Sequence, residues 1–293
     1  MTNQLTIVKG KRTLGQRILG VFSNGFVNAA LIVVAVFWLV PSFGLFVTSF
    51  RSAGESASSG WWTVFTKPAQ LTLDNYSNLL SNSTITSSLL NSILIVVPTT
   101  ILVVLVGSLA GYAFAWMNFP GRDGLLIAVI VLLAVPLQVA LIPVARMFGL
   151  LGIFGSIPGV ILFHVAFGLP FAIFLLRNFF TQIPKEVMEA ARVDGASEWR
   201  IFARIILPLG GPAIASLAIF QFLWTWNDLL IGLIFTNAES QPITVAIQSQ
   251  LRQFGANIDV LSAGAFVSMV IPLIVFFAFQ RFFVEALLQG SNK

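Results

Sequence analysis

Residues Glu189 to Pro208 read Glu-Ala-Ala-Arg-Val-Asp-Gly-Ala-Ser-Glu-Trp-Arg-Ile-Phe-Ala-Arg-Ile-Ile-Leu-Pro. Arg192, Asp194, Glu198, Arg200 and Arg204 crowd into this stretch, and Lys185 and Glu186 stand just before it. Long apolar runs flank it on both sides. In hydrocarbon each ionised side chain would cost about 2.5–3.5 kcal/mol even on the most lenient scale. The stretch is therefore expected to be a structured loop in water between two membrane spans.

Its internal pattern predicts two short helices joined by a bend. Pro184 suits a helix start, where a missing N–H costs nothing. Lys185 to Val193 are mostly good helix formers. Gly195 can end that helix in the left-handed conformation, and Ser197 can cap the next one. In the second helix Trp199, Phe202 and Ile206 recur at helical spacing and predict one apolar face. Pro208 and Pro212 punctuate the exit.

The rest of the chain fits a membrane setting. Of 293 residues, 57% are hydrophobic and 9% charged, against about 25% charged in a soluble domain. The net charge of +5 does not call for nucleic acid, because membrane proteins keep lysine and arginine on their cytoplasmic side. With no cysteine, disulfides, thiolate metal sites and cysteine nucleophiles are excluded. Residues 1–24 read as a polar, basic arm and 25–293 as a single membrane domain. Its spans are expected near 25–50, 85–116, 125–148, 159–180, 213–235 and 260–283. The first is too long for the apolar core of a signal peptide and reads as a retained helix, kinked near Pro41. In the polar loop that follows, Trp61-Trp62 suit either the outer interface or contact with a docking partner. The expected fold class is all-α, a polytopic protein with six transmembrane helices. Of the sixteen lysines and arginines, only Arg51, Lys67, Arg146 and Arg252 fall on the face opposite both termini. Both termini and the charged loop are thus expected in the cytoplasm.

Several chemistries lack their residues. No lysine closes a phosphate-binding G-x-x-x-x-G-K-[ST] pattern, so hydrolysis of ATP would fall to another chain. The only histidine, His164, cannot build a metal site alone. No paired carboxylates or nucleophile elbow support an enzyme. Gln221, Trp224, Trp226, Asn227 and Asp228 cluster in the fifth span. Two readings stay open for them: a wet pathway in which rings stack on sugar and polar groups bind hydroxyls, or hydrogen bonding between helices with interfacial tryptophans.

The spacing Glu189-Ala190-Ala191, Gly195, Ile205, Leu207-Pro208 resembles the EAA loop of permeases from ATP-binding-cassette (ABC) importers. Ala113-Phe114-Ala115 with Phe119-Pro120-Gly121-Arg122, the Trp226-Asn227-Asp228 run and the ending from Gln280 to Gly290 are similar to the carbohydrate, maltose-type branch. They look most like its smaller six-span permease, over about residue 73 to the end. That resemblance implies a cytoplasmic coupling loop, 184–208, in which Glu189, Ala190, Ala191, Asp194, Gly195, Ile205, Leu207 and Pro208 meet an ATPase. It implies a homologous second permease, two ATPase subunits that bind ATP and Mg, and an extracytoplasmic sugar-binding protein. It also implies an inner-membrane location in contact with lipid, and no cofactor in this chain. Gln289, Gly290 and Ser291 become candidate ATPase contacts, although Glu285-Ala286 and Leu288-Gln289 depart from the commoner Arg-Gly and Thr-Ala. The alternative is a gradient-driven transporter or channel subunit.

Overall fold

The computed structural model describes residues 14–254 and 258–291, with side chains over 25–250 and 261–281. Along the chain run α1 (Leu14–Ser49), α2 (Ala53–Ser58), α3 (Asp74–Ser81), α4 (Ser83–Trp116), α5 (Arg122–Leu133) and α6 (Leu137–Leu150). Then come α7 (Ile157–Phe180), α8 (Lys185–Val193) and α9 (Glu198–Leu209). The chain continues through α10 (Gly211–Asn227), α11 (Leu230–Phe235), α12 (Ile243–Phe254) and α13 (Ile258–Ser291). Among the described residues there is no strand, only isolated bridges at Arg51–Leu71 and Gly155–Thr236. The fold is all-α.

Four helical stretches are long and apolar enough to cross a membrane unbroken: Gly25–Ser49, Ser83–Trp116, Ile157–Phe180 and Leu261–Arg281. The span expected over 125–148 is not one kinked helix. It is α5 and α6, bent by 103°. Pro136 is the cause: it has no N–H to continue the ladder and disfavours a helical residue before it, and it sits extended, with ψ 127°, at the start of α6. The span expected over 213–235 stops at Asn227 and resumes at Leu230. At the N-terminal side, helix begins at Leu14, so the expected polar arm is already helical before residue 24. The second bent pair is α9 with α10, at 75°, and counting each bent pair as one crossing gives up to six.

Helix starts follow local chemistry. The Asn82 side chain accepts from the N–H groups of Thr84 and Ile85 at 3.0 and 3.3 Å and caps α4. Ser156 does the same for α7 through Gly159 N–H at 3.2 Å. The bundle is built around α4 against α7. A Cβ placed on Gly107 would lie 2.8 Å from Ala172 Cβ, and one on Gly111 would lie 3.0 Å from Leu176 Cβ. Small residues four apart let the two backbones approach, the usual means of packing in a membrane, where apolar burial gives no drive. By contrast α1 projects its side chains outward: Phe26, Phe37 and Trp38 are 77, 73 and 73% exposed.

Connections gather at two ends. At one, Asn75 Nδ2 donates to the carbonyls of Ser49 and Arg51, Ser240 Oγ to Gly155, and Asn91 Nδ2 to Glu239 and Gln241. Buried Arg51 organises the first loop here, donating to Gln70 Oε1 at 2.8 Å and to the carbonyls of Ser59 and Glu55. Trp61 packs edge-on to Phe43 at 5.7 Å, and Trp62 is largely exposed. At the other end sit α8 and α9.

Candidate coupling loop and pathway residues

The first helix of the charged loop ends as its sequence demands. Gly195 has φ +73°. Its N–H reaches the Arg192 carbonyl, and the Ala196 N–H reaches the Ala191 carbonyl, both at 3.0 Å. These two bonds form a Schellman stop, which needs a left-handed residue at the Gly195 position. Ala191 and Ala196 close it by packing on the buried core. The Glu-Ala-Ala to glycine spacing is thus the spacing from the last turn of α8 to its stop. Ser197 opens α9 by accepting the Arg200 N–H at 3.4 Å.

Within α9 the segment Phe202–Ile206 widens into a π-helix, with Leu207 N–H reaching back to the Phe202 carbonyl. The cause lies one residue on. Pro208 offers no N–H to Arg204, and its ring would press on that carbonyl; a wider turn relieves both. Ile201, Phe202 and Ile206 enter the core together with Met188. Trp199 does not join them as its spacing predicted; it is 68% exposed, because Ile201 takes the inward position.

Glu189, Ala190, Asp194, Gly195, Leu207 and Pro208 are exposed, and Ile205 is half-buried. The Glu189 carboxylate lies 3.0 Å from Lys185 Nζ, both well exposed, a pair worth little to stability. Beside them stand Val193, 87% exposed, and Trp199. The sequence reading missed Val193 as a surface residue. Its signal was an apolar side chain in the last turn of a helix whose inward face is already filled by Met188.

A second group, missed from sequence, holds the loop to the bundle. Arg192 Nε donates to Glu198 Oε1 at 3.0 Å. The Tyr112 hydroxyl donates to Glu198 Oε2. Arg192 Nη2 donates to the carbonyl of Trp116 at 3.1 Å, and Trp116 Nε1 donates to the carbonyl of Phe180 at 3.0 Å. Burial works against the Glu198 carboxylate, but the bonds from Tyr112 and Arg192 outweigh it and hold its pKa below the ordinary value. The bond to Glu198 likewise raises Arg192.

The five pathway residues do not converge. Gln221 is buried, and its Nε2 donates to Thr225 Oγ1 at 3.0 Å. Trp224 lines an apolar cavity of about 590 Å³ between α5–α6 and α7. Asn227 lines a different cavity of about 580 Å³, with Thr244, Ser268 and Met269. Asp228 caps α11, accepting from Ile231 and Gly232 at 2.9 and 3.2 Å, and lies 3.9 Å from His164 Nε2. Trp226 is buried, stacked on Phe222, and donates to the Ser268 carbonyl at 2.9 Å. That carbonyl is the one Pro272 leaves without a helical partner. Trp226→Phe should therefore lower stability by about 1–3 kcal/mol. The loss should shrink when Pro272→Ala restores the backbone N–H, as read by thermal unfolding of the purified chain. The side chains of Gln289, Gly290 and Ser291 lie outside the described residues.

A helical bundle with up to six candidate membrane crossings and a bent, charged loop is a polytopic membrane protein. The chain belongs to the family of binding-protein-dependent transport system inner membrane components, which it matches over residues 103–290. It is 47% identical over 272 residues to the osmoprotective compounds uptake permease protein GgtD of Synechocystis sp., covering 91% of each chain. It is 47% identical over 254 residues to the alpha-glucoside transport system permease protein AglG of Rhizobium meliloti, covering 84% of this chain and 67% of that one. Its fold matches a chain of a bacterial ABC transporter involved in the import of the acidic polysaccharide alginate. The TM-score is 0.75 over 97% of this chain and 99% of that one, at 21% identity.

Proposed function

We propose that this chain is the permease subunit of an ABC importer that brings a sugar or oligosaccharide into the cytoplasm by alternating access. The observation that carries the reading is the loop itself: a glycine stop, exposed Glu189 and Val193 before it and Trp199 after it, and a core-anchored α9. Such a knob suits the cleft of an ATPase. In this reading Glu189, Ala190, Ala191, Asp194, Gly195, Ile205, Leu207 and Pro208 form the ATPase-facing region. Two ATPase subunits hold ATP and Mg, a homologous permease completes the pathway, and an extracytoplasmic sugar-binding protein delivers the cargo. Both termini lie in the cytoplasm.

The name of AglG, an alpha-glucoside permease, supports a glycoside as the cargo. So does the cavity at Asn227, whose lining offers amide and hydroxyl groups and no ionisable side chain. Proteoliposomes carrying the assembled complex and a binding protein test the reading. An α-glucoside should enter only with internal ATP and regardless of an uncoupler. Uptake that an uncoupler abolishes and ATP does not support would establish the gradient-driven alternative instead.

A further inference from the structure

We infer that the loop moves the bundle chiefly through α4, and that Tyr112, Arg192 and Glu198 are the positioning residues that fasten the two together. The inference rests on the importer reading above. Along the chain the loop is continuous with α7 and α10, so those helices would be the expected recipients of its motion. The hydrogen bonds point elsewhere. Trp116 is the last residue of α4 and Phe180 the last of α7, and the final carbonyls of a helix lack partners within it. Arg192 supplies the partner for the Trp116 carbonyl, and the Trp116 indole joins the Ile183 N–H on the Phe180 carbonyl. A cation there also complements the negative end of the helix.

The loop is thus the C-terminal cap of α4. Glu198 sits at the centre, with one oxygen on Arg192 and the other on Tyr112, which is itself buried in the side of α4. A displacement of α8 and α9 that left α4 behind would break two hydrogen bonds at once, Tyr112 to Glu198 and Arg192 to the Trp116 carbonyl, while Arg192–Glu198 would travel with the loop. One that carried α4 along would break none. Because Gly107 and Gly111 seat α4 directly on the Ala172 and Leu176 side chains of α7, a tilt of α4 pushes on α7.

The test uses the complete importer in proteoliposomes, with substrate imported per ATP hydrolysed as the readout and co-purification of the ATPase as the check on assembly. Tyr112→Phe and Glu198→Gln should each keep the ATPase bound and hydrolysing while import per ATP falls by about tenfold. The double variant should be no worse than the poorer single one, since both act on one contact. Singles at the wild-type ratio, or a double variant in which the two losses multiply, would overturn the inference. A wild-type complex that fails to couple ATP to uptake would instead sink the importer reading. The cap can then still be judged by hydrogen exchange on the full chain. Arg192→Gln should expose the last turn of α4, residues 112–116, and leave its first turns protected. Unchanged exchange there would refute the cap.

Discussion

Gly195→Val is expected to abolish coupled uptake while leaving membrane insertion intact. A Cβ on Gly195 would meet nothing within 4 Å, so the penalty is one of backbone conformation and not of crowding. At φ +73° an ordinary L-residue loses about 1–2 kcal/mol, and a β-branched one is a genuine outlier. The Schellman stop then gives way, α8 runs on or frays, and the knob loses its shape. Uptake in the reconstituted complex should fall at least about tenfold, the equivalent of ~1.4 kcal/mol, with ATP hydrolysis persisting. Gly195→Asn separates conformation from side-chain identity, because asparagine tolerates the left-handed region; it should retain much more uptake than valine. Normal uptake by the valine variant would refute the role given to the bend.

Gly107→Val should act at the other extreme, on folding. Its added atoms enter space held by Ala172, where even a Cβ lies 2.8 Å from its neighbour. Overpacking of this kind costs about 1–3 kcal/mol, and here it must push apart the two helices that organise the bundle. The expected result is a sharp drop in folded yield and in the thermal midpoint of the purified chain. Gly124→Ala is the matched control: a Cβ there meets nothing within 4 Å, and the midpoint should hold or rise slightly. Equal behaviour of the two variants would mean that close approach of α4 and α7 is not what holds the bundle.

Local chemistry made part of this legible beforehand. Gly195 could be placed as a stop because glycine after a run of helix formers has one common use, and Ser197 as a cap because serine just before a helical run has another. Pro136 could not be told apart from Pro98, Pro170 or Pro272 on the same grounds. All four interrupt the backbone ladder, yet three sit inside continuous helices and one divides two. The neighbours that re-satisfy the freed carbonyl decide the outcome, and for Pro272 that neighbour is Trp226, far away in sequence. Trp224 and Trp226 are chemically identical and two residues apart, but only packing sends one to a cavity and the other to a carbonyl. The Tyr112–Glu198 contact joins residues 86 apart, a distance no periodicity spans.

The length of α4 has one more consequence. Near its start Asn91 and Ser92 hold the connection at residues 239–243, and at its last turns Tyr112 and Trp116 meet Glu198 and Arg192. From Asn91 to Trp116 a helix rises about 37 Å, more than the ~30 Å thickness of the hydrocarbon layer. One unbroken rod therefore ties the two sets of connections together, and a tilt at one end of it is a tilt at the other.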